Sequence, residues 1–313
     1  VYKSPAETSV AAQVKLIDEL ITQKVASITI STNGDTGYDE VFAKAKTAGI
    51  KIVSVDSKAN PDDRVVHVDP TSQAGIGQSL VQAAVLIALK VDYPEDGDLK
   101  AACETALAAY NGPVINLGVL SASIDTPVQN GWIARMEEEL QRSVYSGKVN
   151  PALDKKYGND DPTVSTTQAN AFISENRVDV IISPTTVGMA AAGQALKSAA
   201  NSKIKLTGLG LPSEMQGFMP KKESDNAFDF VCPYMMLWDV IDLGRVAGAA
   251  TWAALKDGYD GTAGSTFTVA AFGEYDGRTF TTVAHPDDGG TLILVGNPYT
   301  FYKGNMANWI DKL

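Results

Sequence analysis

The sequence predicts an α/β protein of two doubly wound lobes, each a parallel sheet covered by helices and joined to the other by a hinge. Three observations lead there. Short β-branched runs such as Val178–Ile182 are apolar on both faces, which suits a strand buried on both sides. Each run ends in a small polar exit followed by a helical stretch, which implies parallel strands joined by crossovers. This alternation occurs twice, before and after the turn Asn111-Gly112-Pro113, and 313 residues is long for a single core.

Val1 to Lys3 reads as the end of a strand. Ser9 caps a helix over Val10–Gln23, where Val10, Val14, Ile17, Leu20 and Ile21 form an apolar stripe at helical spacing. Ala26–Ile30 alternates as a strand, with Ser31-Thr32-Asn33 as its exit. Val41–Ala48 is a helix stopped by Gly49, and Ile50–Val55 a strand leaving through Asp56-Ser57. Val65–Val68 is a short strand closed by Asp69-Pro70, and Thr71–Val91 is a long alanine-rich helix. A doubly wound sheet normally has one more strand and helix at its start, so a unit of roughly 30 residues is expected to be absent ahead of Val1.

Asp92–Asp98 is an acidic break, followed by a helix over Leu99–Tyr110. Val114–Leu120 is a strand with exit Ser121-Ala122-Ser123. Gly131–Arg142 is a helix with Trp132, Ile133, Met136 and Leu140 on one face. Lys148–Tyr157 holds a weaker strand, and Asp161-Pro162-Thr163 opens a helix to Glu175. Val178–Ile182 passes through Ser183–Thr186 into a helix of small residues. Ile204–Leu209 exits at Gly210-Leu211-Pro212, before a short helix over Glu214–Met219. Phe228–Met235 is a strand, and Leu237-Trp238-Asp239 leads into the helix Val240–Lys256. Phe267–Phe272, Arg278–Val283 and Leu292–Val295 are strand candidates, and Tyr299–Leu313 is expected to pack outside the hinge. The lobes are predicted as 1–112 with about 238–290, and 113–237 with about 291–313.

Lys and Arg total 26 against 37 Asp and Glu, a net charge of −11. Nucleic-acid binding needs a basic footprint that this balance lacks; the acidity reads as solubility. Cys103 and Cys232 are too few and too distant for a disulfide framework or metal motif, and read as unpaired thiols. No stretch reaches the roughly 18–20 apolar residues that span a bilayer, and the opening Val1-Tyr2-Lys3 is not a signal peptide.

Enzyme motifs are missing. The sequence has neither a nucleophile elbow nor a phosphate loop. His67 lies in a strand and His285 precedes Pro286; both read as structural or surface residues. Nothing clusters for zinc. Gly75-Ile76-Gly77 lacks dinucleotide spacing, and Asp62-Asp63 and Asp287-Asp288 lack calcium-loop spacing. The expectation is no catalytic residue, no metal and no cofactor.

What remains is the set of polar strand exits, and open α/β sheets bind ligands beyond the carboxyl ends of their strands. Facing amides, hydroxyls and carboxylates suit a polyhydroxylated ligand, whose hydroxyls both donate and accept. Trp132 or Trp238 could stack on an apolar sugar face. Any single exit serves equally well as a turn or helix cap. The candidate ligand-binding residues are Ser31, Asp56, Ser123, Gln129, Asn130, Pro184, Thr186, Leu211 and Trp238.

At these residues the chain resembles the type I periplasmic sugar-binding proteins of ABC transporters, and among them the rhamnose-binding proteins and autoinducer-2 receptors. The blocks that carry the resemblance are Leu120–Ser123 through Gln129–Ile133, Ile182–Gly188, Leu206–Gly210 before Pro212, Leu237-Trp238-Asp239 before Leu243-Gly244, and Phe272-Gly273-Glu274-Tyr275. The resemblance implies two lobes closing on one sugar or furanone ligand in the cleft between them, with no chemistry performed on it. It implies a monomer that delivers to an ABC permease, periplasmic or lipid-anchored on the outer face of the cytoplasmic membrane. By position, Asp56 matches an acidic residue that hydrogen-bonds ligand hydroxyls, Gln129 a ligand-binding glutamine, and Pro184 and Thr186 a strand-exit pair lining the site.

Two departures bear on the ligand. Val128 stands where the autoinducer-2 receptors place an aspartate before the glutamine, and this chain does not contain the segment that carries their N-terminal lysine. The Ser183–Gly188 block looks more like the rhamnose-binding group, so a deoxyhexose such as rhamnose is favoured over a furanone. Asp92–Pro113 and Pro220–Pro233 are longer than either pattern. The effector domain of a sugar-responsive repressor shares the fold but would need a basic helix-turn-helix segment upstream.

Overall fold

The computed structural model describes residues 1–199, 202–269, 277–296 and 298–313. In chain order the first elements are α1 (Val10–Thr22), β1 (Ser27–Ile30), α2 (Asp39–Thr47), β2 (Lys51–Val55), β3 (Val66–Asp69), α3 (Gln73–Ala88) and α4 (Leu99–Ala109). Next come β4 (Leu117–Ser121), α5 (Pro127–Leu140), β5 (Asp154–Tyr157), α6 (Pro162–Glu175), β6 (Val180–Ser183), α7 (Thr186–Ser198) and β7 (Lys205–Gly208). The last are α8 (Pro212–Met215), β8 (Met235–Leu237), α9 (Val240–Lys256), β9 (Thr266–Thr268), β10 (Thr279–Thr281), β11 (Val283–Ala284), β12 (Thr291–Leu294) and β13 (Tyr299–Phe301).

These elements form two compact units. The first comprises Val1–Ser72, Asp125–Val128 and Trp238–Asn297. Its sheet has the order β1-β2-β3-β12-β11, with the first four strands parallel and β11 antiparallel at the edge. Val53, Val66, Val68 and Ile293 face α9 through Val246 and Ala250, while Ile28 and Ile52 face α1 and α2 through Ile17 and Phe42. Both faces are dry, as the β-branched runs predict, and each such side chain contributes about 1.5–3 kcal/mol by burial. His67 is structural: its Nδ1 lies 3.0 Å from Ser54 Oγ, and burial pushes its pKa down to about 3.

The second unit comprises Gln73–Ile124, Gln129–Leu237 and Pro298–Leu313. Its four-stranded sheet is parallel throughout, in the order β5-β4-β6-β7. Helix α3 packs on β6 and β7, with Ile76, Leu80, Val81 and Val85 fully buried. A Cβ at Gly77 would lie 2.7 Å from the Trp132 carbonyl oxygen, so the glycine allows α3 and α5 to approach backbone to backbone. Cys103 and Cys232 are both free and buried, in agreement with the sequence.

The structure divides the chain differently from the sequence reading. Residues 73–112 fall in the second unit, because α3 is apolar around most of its surface and finds its partners on β6, β7 and α4. Conversely, β12 pairs in parallel with β3, Leu292 opposite His67, which places it in the first unit. Residues 299–313 do not form a piece of their own: β13 pairs antiparallel with β8, and Phe301 meets Trp309 edge-on. The strand expected over Phe228–Met235 is reduced to β8, since Pro233 has no N–H and Ala227–Asp229 forms a 3-10 turn. Helix α5 begins at Pro127 instead of Gly131, which puts Gln129 and Asn130 in its first turn. Val1–Lys3 is irregular and exposed. The Phe272–Tyr275 block, and the end of the strand expected over Phe267–Phe272, lie outside the described residues.

Candidate ligand-binding site

The second unit has a topological switch point. From β4 the chain runs to β5 on one side and to β6 and β7 on the other, so the β4 and β6 exits flank the position where open α/β sheets bind ligands. The β4 exit carries Ser121 and half-buried Ser123, and the β6 exit carries Ser183, Pro184 and Thr185. Ser183 is spent on the fold, donating from Oγ to the Leu120 carbonyl oxygen at 2.8 Å. Gly188, one turn into α7, is required because a side chain there would strike Ser183 Oγ.

Gln129 lies over this switch point. It is 8% exposed, and its Nε2 donates to the Pro184 carbonyl oxygen at 3.5 Å. Its Oε1 is buried with no hydrogen-bond partner among the described residues, and so is Ser121 Oγ. The other candidates of this unit fare differently. Asn130 donates from Nδ2 to the Ile124 carbonyl oxygen at 2.8 Å. Thr186 is the first residue of α7 and half-buried. Leu211 is the N-cap of α8, also half-buried. Trp132 is only 1% exposed, a core side chain that presents no stacking face.

In the first unit the exits of β1, β2 and β3 lie side by side. Asp56 leaves β2 with φ 61°, a left-handed turn that aspartate tolerates, and its N–H donates to the Val68 carbonyl oxygen at 3.1 Å. Ser31 is exposed, and its Oγ accepts from the Ser57 N–H at 3.4 Å, tying the β1 exit to the β2 exit. Trp238 follows β8 and is half-buried, packed against the core cluster that includes Val53 and Leu243.

The sequence reading missed two carboxylates. Asp69, treated there as a strand closure, is 2% exposed at the end of β3. Burial, then the neighbouring charge of Asp56, pushes its carboxyl well above the usual range, against a hydrogen bond from the Thr71 N–H. Its position at a strand end was the available signal. Asp160, at the β5 exit, accepts from Thr185 Oγ1 at 2.5 Å, and burial raises its pKa. Its signal was the turn-forming run Gly158-Asn159-Asp160, where Asn159 and Asp160 both have positive φ.

The arrangement offers hydrogen-bonding groups at the ends of parallel strands. No group of three or more metal-ligating side chains occurs among the described residues. Residues 1–260 match the periplasmic binding protein domain. The chain belongs to this periplasmic binding protein family. An ABC-transporter solute-binding protein from Clostridium phytofermentas, solved with bound L-rhamnose, is 32% identical over all of this chain and 88% of its own, with a TM-score of 0.84. A sugar ABC transporter protein from Actinomyces odontolyticus is 26% identical over 97% of this chain and 85% of its own, at TM-score 0.63. LsrB from Clostridium saccharobutylicum, solved with AI-2, shares the fold at TM-score 0.78 and 20% identity, covering 98% of this chain and 89% of its own. These similarities establish the type I fold expected from the sequence, and family members of this kind are solute-binding proteins and not enzymes.

Proposed function

We propose that this protein is the solute-binding component of an ABC importer, and that a monosaccharide-sized sugar, a deoxyhexose such as rhamnose, binds at the strand exits of its units. The observation that carries this reading is Gln129, whose carbonyl oxygen is buried at the switch point without a donor among the described residues. An unmet buried acceptor costs about 1–3 kcal/mol, and a sugar hydroxyl would remove that cost on binding. Within the second unit Pro184, Thr186, Ser123 and Leu211 shape the surrounding wall, and Asp56, at a strand exit of the first unit, is proposed as an acceptor for ligand hydroxyls. The L-rhamnose bound to the 32% identical relative supports a deoxyhexose. Val128 supports it too, since an apolar residue there suits a less polar ligand than a carboxylate would. The fold shared with LsrB favours AI-2 as the second reading.

Delivery is to a membrane permease, by a monomer outside the cytoplasmic membrane. No helix among the described residues is long and apolar enough to cross a membrane itself. A thermal-shift screen of monosaccharides and AI-2, followed by calorimetry, tests the reading. L-rhamnose at about 100 times its Kd should stabilise the protein by about 2.7 kcal/mol. Stabilisation by neither a sugar nor AI-2 would sink it.

A further inference from the structure

A separate cavity of about 500 Å³ lies wholly within the second unit, a size typical of small-molecule sites. Three tyrosines line it: Tyr93 has its ring centroid 4.7 Å from that of Tyr302 and 5.8 Å from that of Tyr234. Tyr234 is buried and its hydroxyl reaches the Ala83 and Val91 carbonyl oxygens at 3.4 and 3.3 Å, which fixes the ring. Tyr93 and Tyr302 are half-exposed.

The polar part of the lining is Asp92, Glu95, Glu223 and Lys303, three carboxylates against one ammonium. Lys303 pairs with Asp92 at 2.9 Å. Glu95 and Glu223 have no ion pair among the described residues. A side chain at Gly304 would strike the Glu223 carboxylate and the Tyr302 ring, so the glycine lets these two groups lie together. Tyr234 of the cavity lining precedes β8, whose middle residue Met236 accepts from the Gly210 N–H at 3.1 Å.

We propose that this cavity binds an organic cation, an ammonium or guanidinium group carried on an apolar or aromatic body. Tyrosine faces attract cations through the ring quadrupole, and the lining's three carboxylates, Asp92 and Glu223 among them acting on Lys303, leave an excess of negative charge over its one ammonium. An anion would meet that excess charge directly, and a neutral sugar would gain nothing from it. The net charge of −11 also raises the local concentration of cations.

The test titrates the whole protein with 2-phenylethylammonium, with 2-phenylethanol as its neutral analogue and methyl glucoside as a sugar, each followed by NMR and calorimetry. The expected result is saturable binding of the ammonium, weakening as salt screens it, and at least about tenfold weaker binding of the alcohol and the glucoside. Glu223→Gln and Tyr302→Leu should each weaken the ammonium by about tenfold, with the response to sugar at the strand exits unchanged. Glu223 is exposed, so Glu223→Gln carries the test even where Tyr302→Leu perturbs folding. Equal binding of alcohol and ammonium, preferential binding of the glucoside, or an affinity unmoved by Glu223→Gln overturns the proposal. The strand-exit reading is independent of all these outcomes.

Discussion

Replacing Gln129 by methionine separates a ligand-binding role from a structural one, because the two roles move stability in opposite directions. The side chain is 8% exposed, so its amide has left water. In return, Nε2 makes a contact of 3.5 Å to the Pro184 carbonyl oxygen, at the outer limit of a hydrogen bond, and Oε1 makes none among the described residues. Methionine keeps the length and removes both polar groups. The long contact is worth no more than about 0.5 kcal/mol, while relieving an unmet buried acceptor returns about 1–3 kcal/mol. Part of that return is offset at the Pro184 oxygen, which loses its donor. The unliganded Gln129→Met protein should therefore be at least as stable as the parent, by up to about 2 kcal/mol in urea unfolding. Its affinity for L-rhamnose, or for whichever ligand the screen identifies, should fall by about 1.5–3 kcal/mol, roughly 10- to 150-fold by calorimetry. A variant that loses more than about 1 kcal/mol without ligand, yet keeps the parental Kd, would show that Gln129 serves the fold and would refute the reasoning.

Asp56→Ala should weaken ligand binding by about 2–3 kcal/mol, the worth of a charge-assisted hydrogen bond in a desolvated site; an unchanged calorimetric Kd would remove Asp56 from the site. His67 should make the first unit acid-labile. Its folded pKa of about 3 lies below the ordinary 6.5, so between those values the unfolded chain binds a proton that the folded chain does not. Stability therefore falls as pH falls through that window, by about 1.4 kcal/mol per unit. Urea unfolding at several pH values checks this, and the slope should shrink in a His67→Leu, Ser54→Ala double variant; an unaltered slope would clear His67. Gly188→Ala should cost about 1–3 kcal/mol by overpacking against Ser183 Oγ, and should also weaken ligand binding because the β6 exit must shift; a thermal shift and Kd like the parent's would contradict that packing.

Local patterns were readable wherever one residue type settles the matter. Apolar β-branched runs marked most strands of both sheets, because burial on two faces selects apolar side chains; the polar β5 (Asp154–Tyr157) was the weakest signal. Ser9, Asp161 and Asp239 announced their helices because a side-chain acceptor is needed for the first free N–H groups, and each is seen to accept from them. Assignment of segments to units was not readable. Helix α3 and strand β12 are joined in sequence to one unit or the other by chance of chain order, and their partners are fixed by long-range packing that periodicity does not encode. The same limit hid the end of α5. Pro127 can open a helix or break one, and only the tertiary contacts of Val128 and Gln129 decide between them.

The candidate site shows a further reason why residue type alone overstates function. A serine, asparagine or threonine at a strand exit has the chemistry to hold a sugar, but the same chemistry is what the exit needs to close on itself. Ser183 is consumed by the Leu120 carbonyl oxygen, Asn130 by that of Ile124, and Thr185 by Asp160. These groups position the backbone, and a ligand would have to break a bond already made in order to use them. Gln129 Oε1 and Ser121 Oγ differ in having no partner among the described residues although both are buried. Folding removed them from water at a cost that the fold itself does not recover. A binding protein recovers that cost only when its ligand arrives, so the affinity of the second unit should reside in these few oxygens, with the many hydroxyls around them holding the wall in shape.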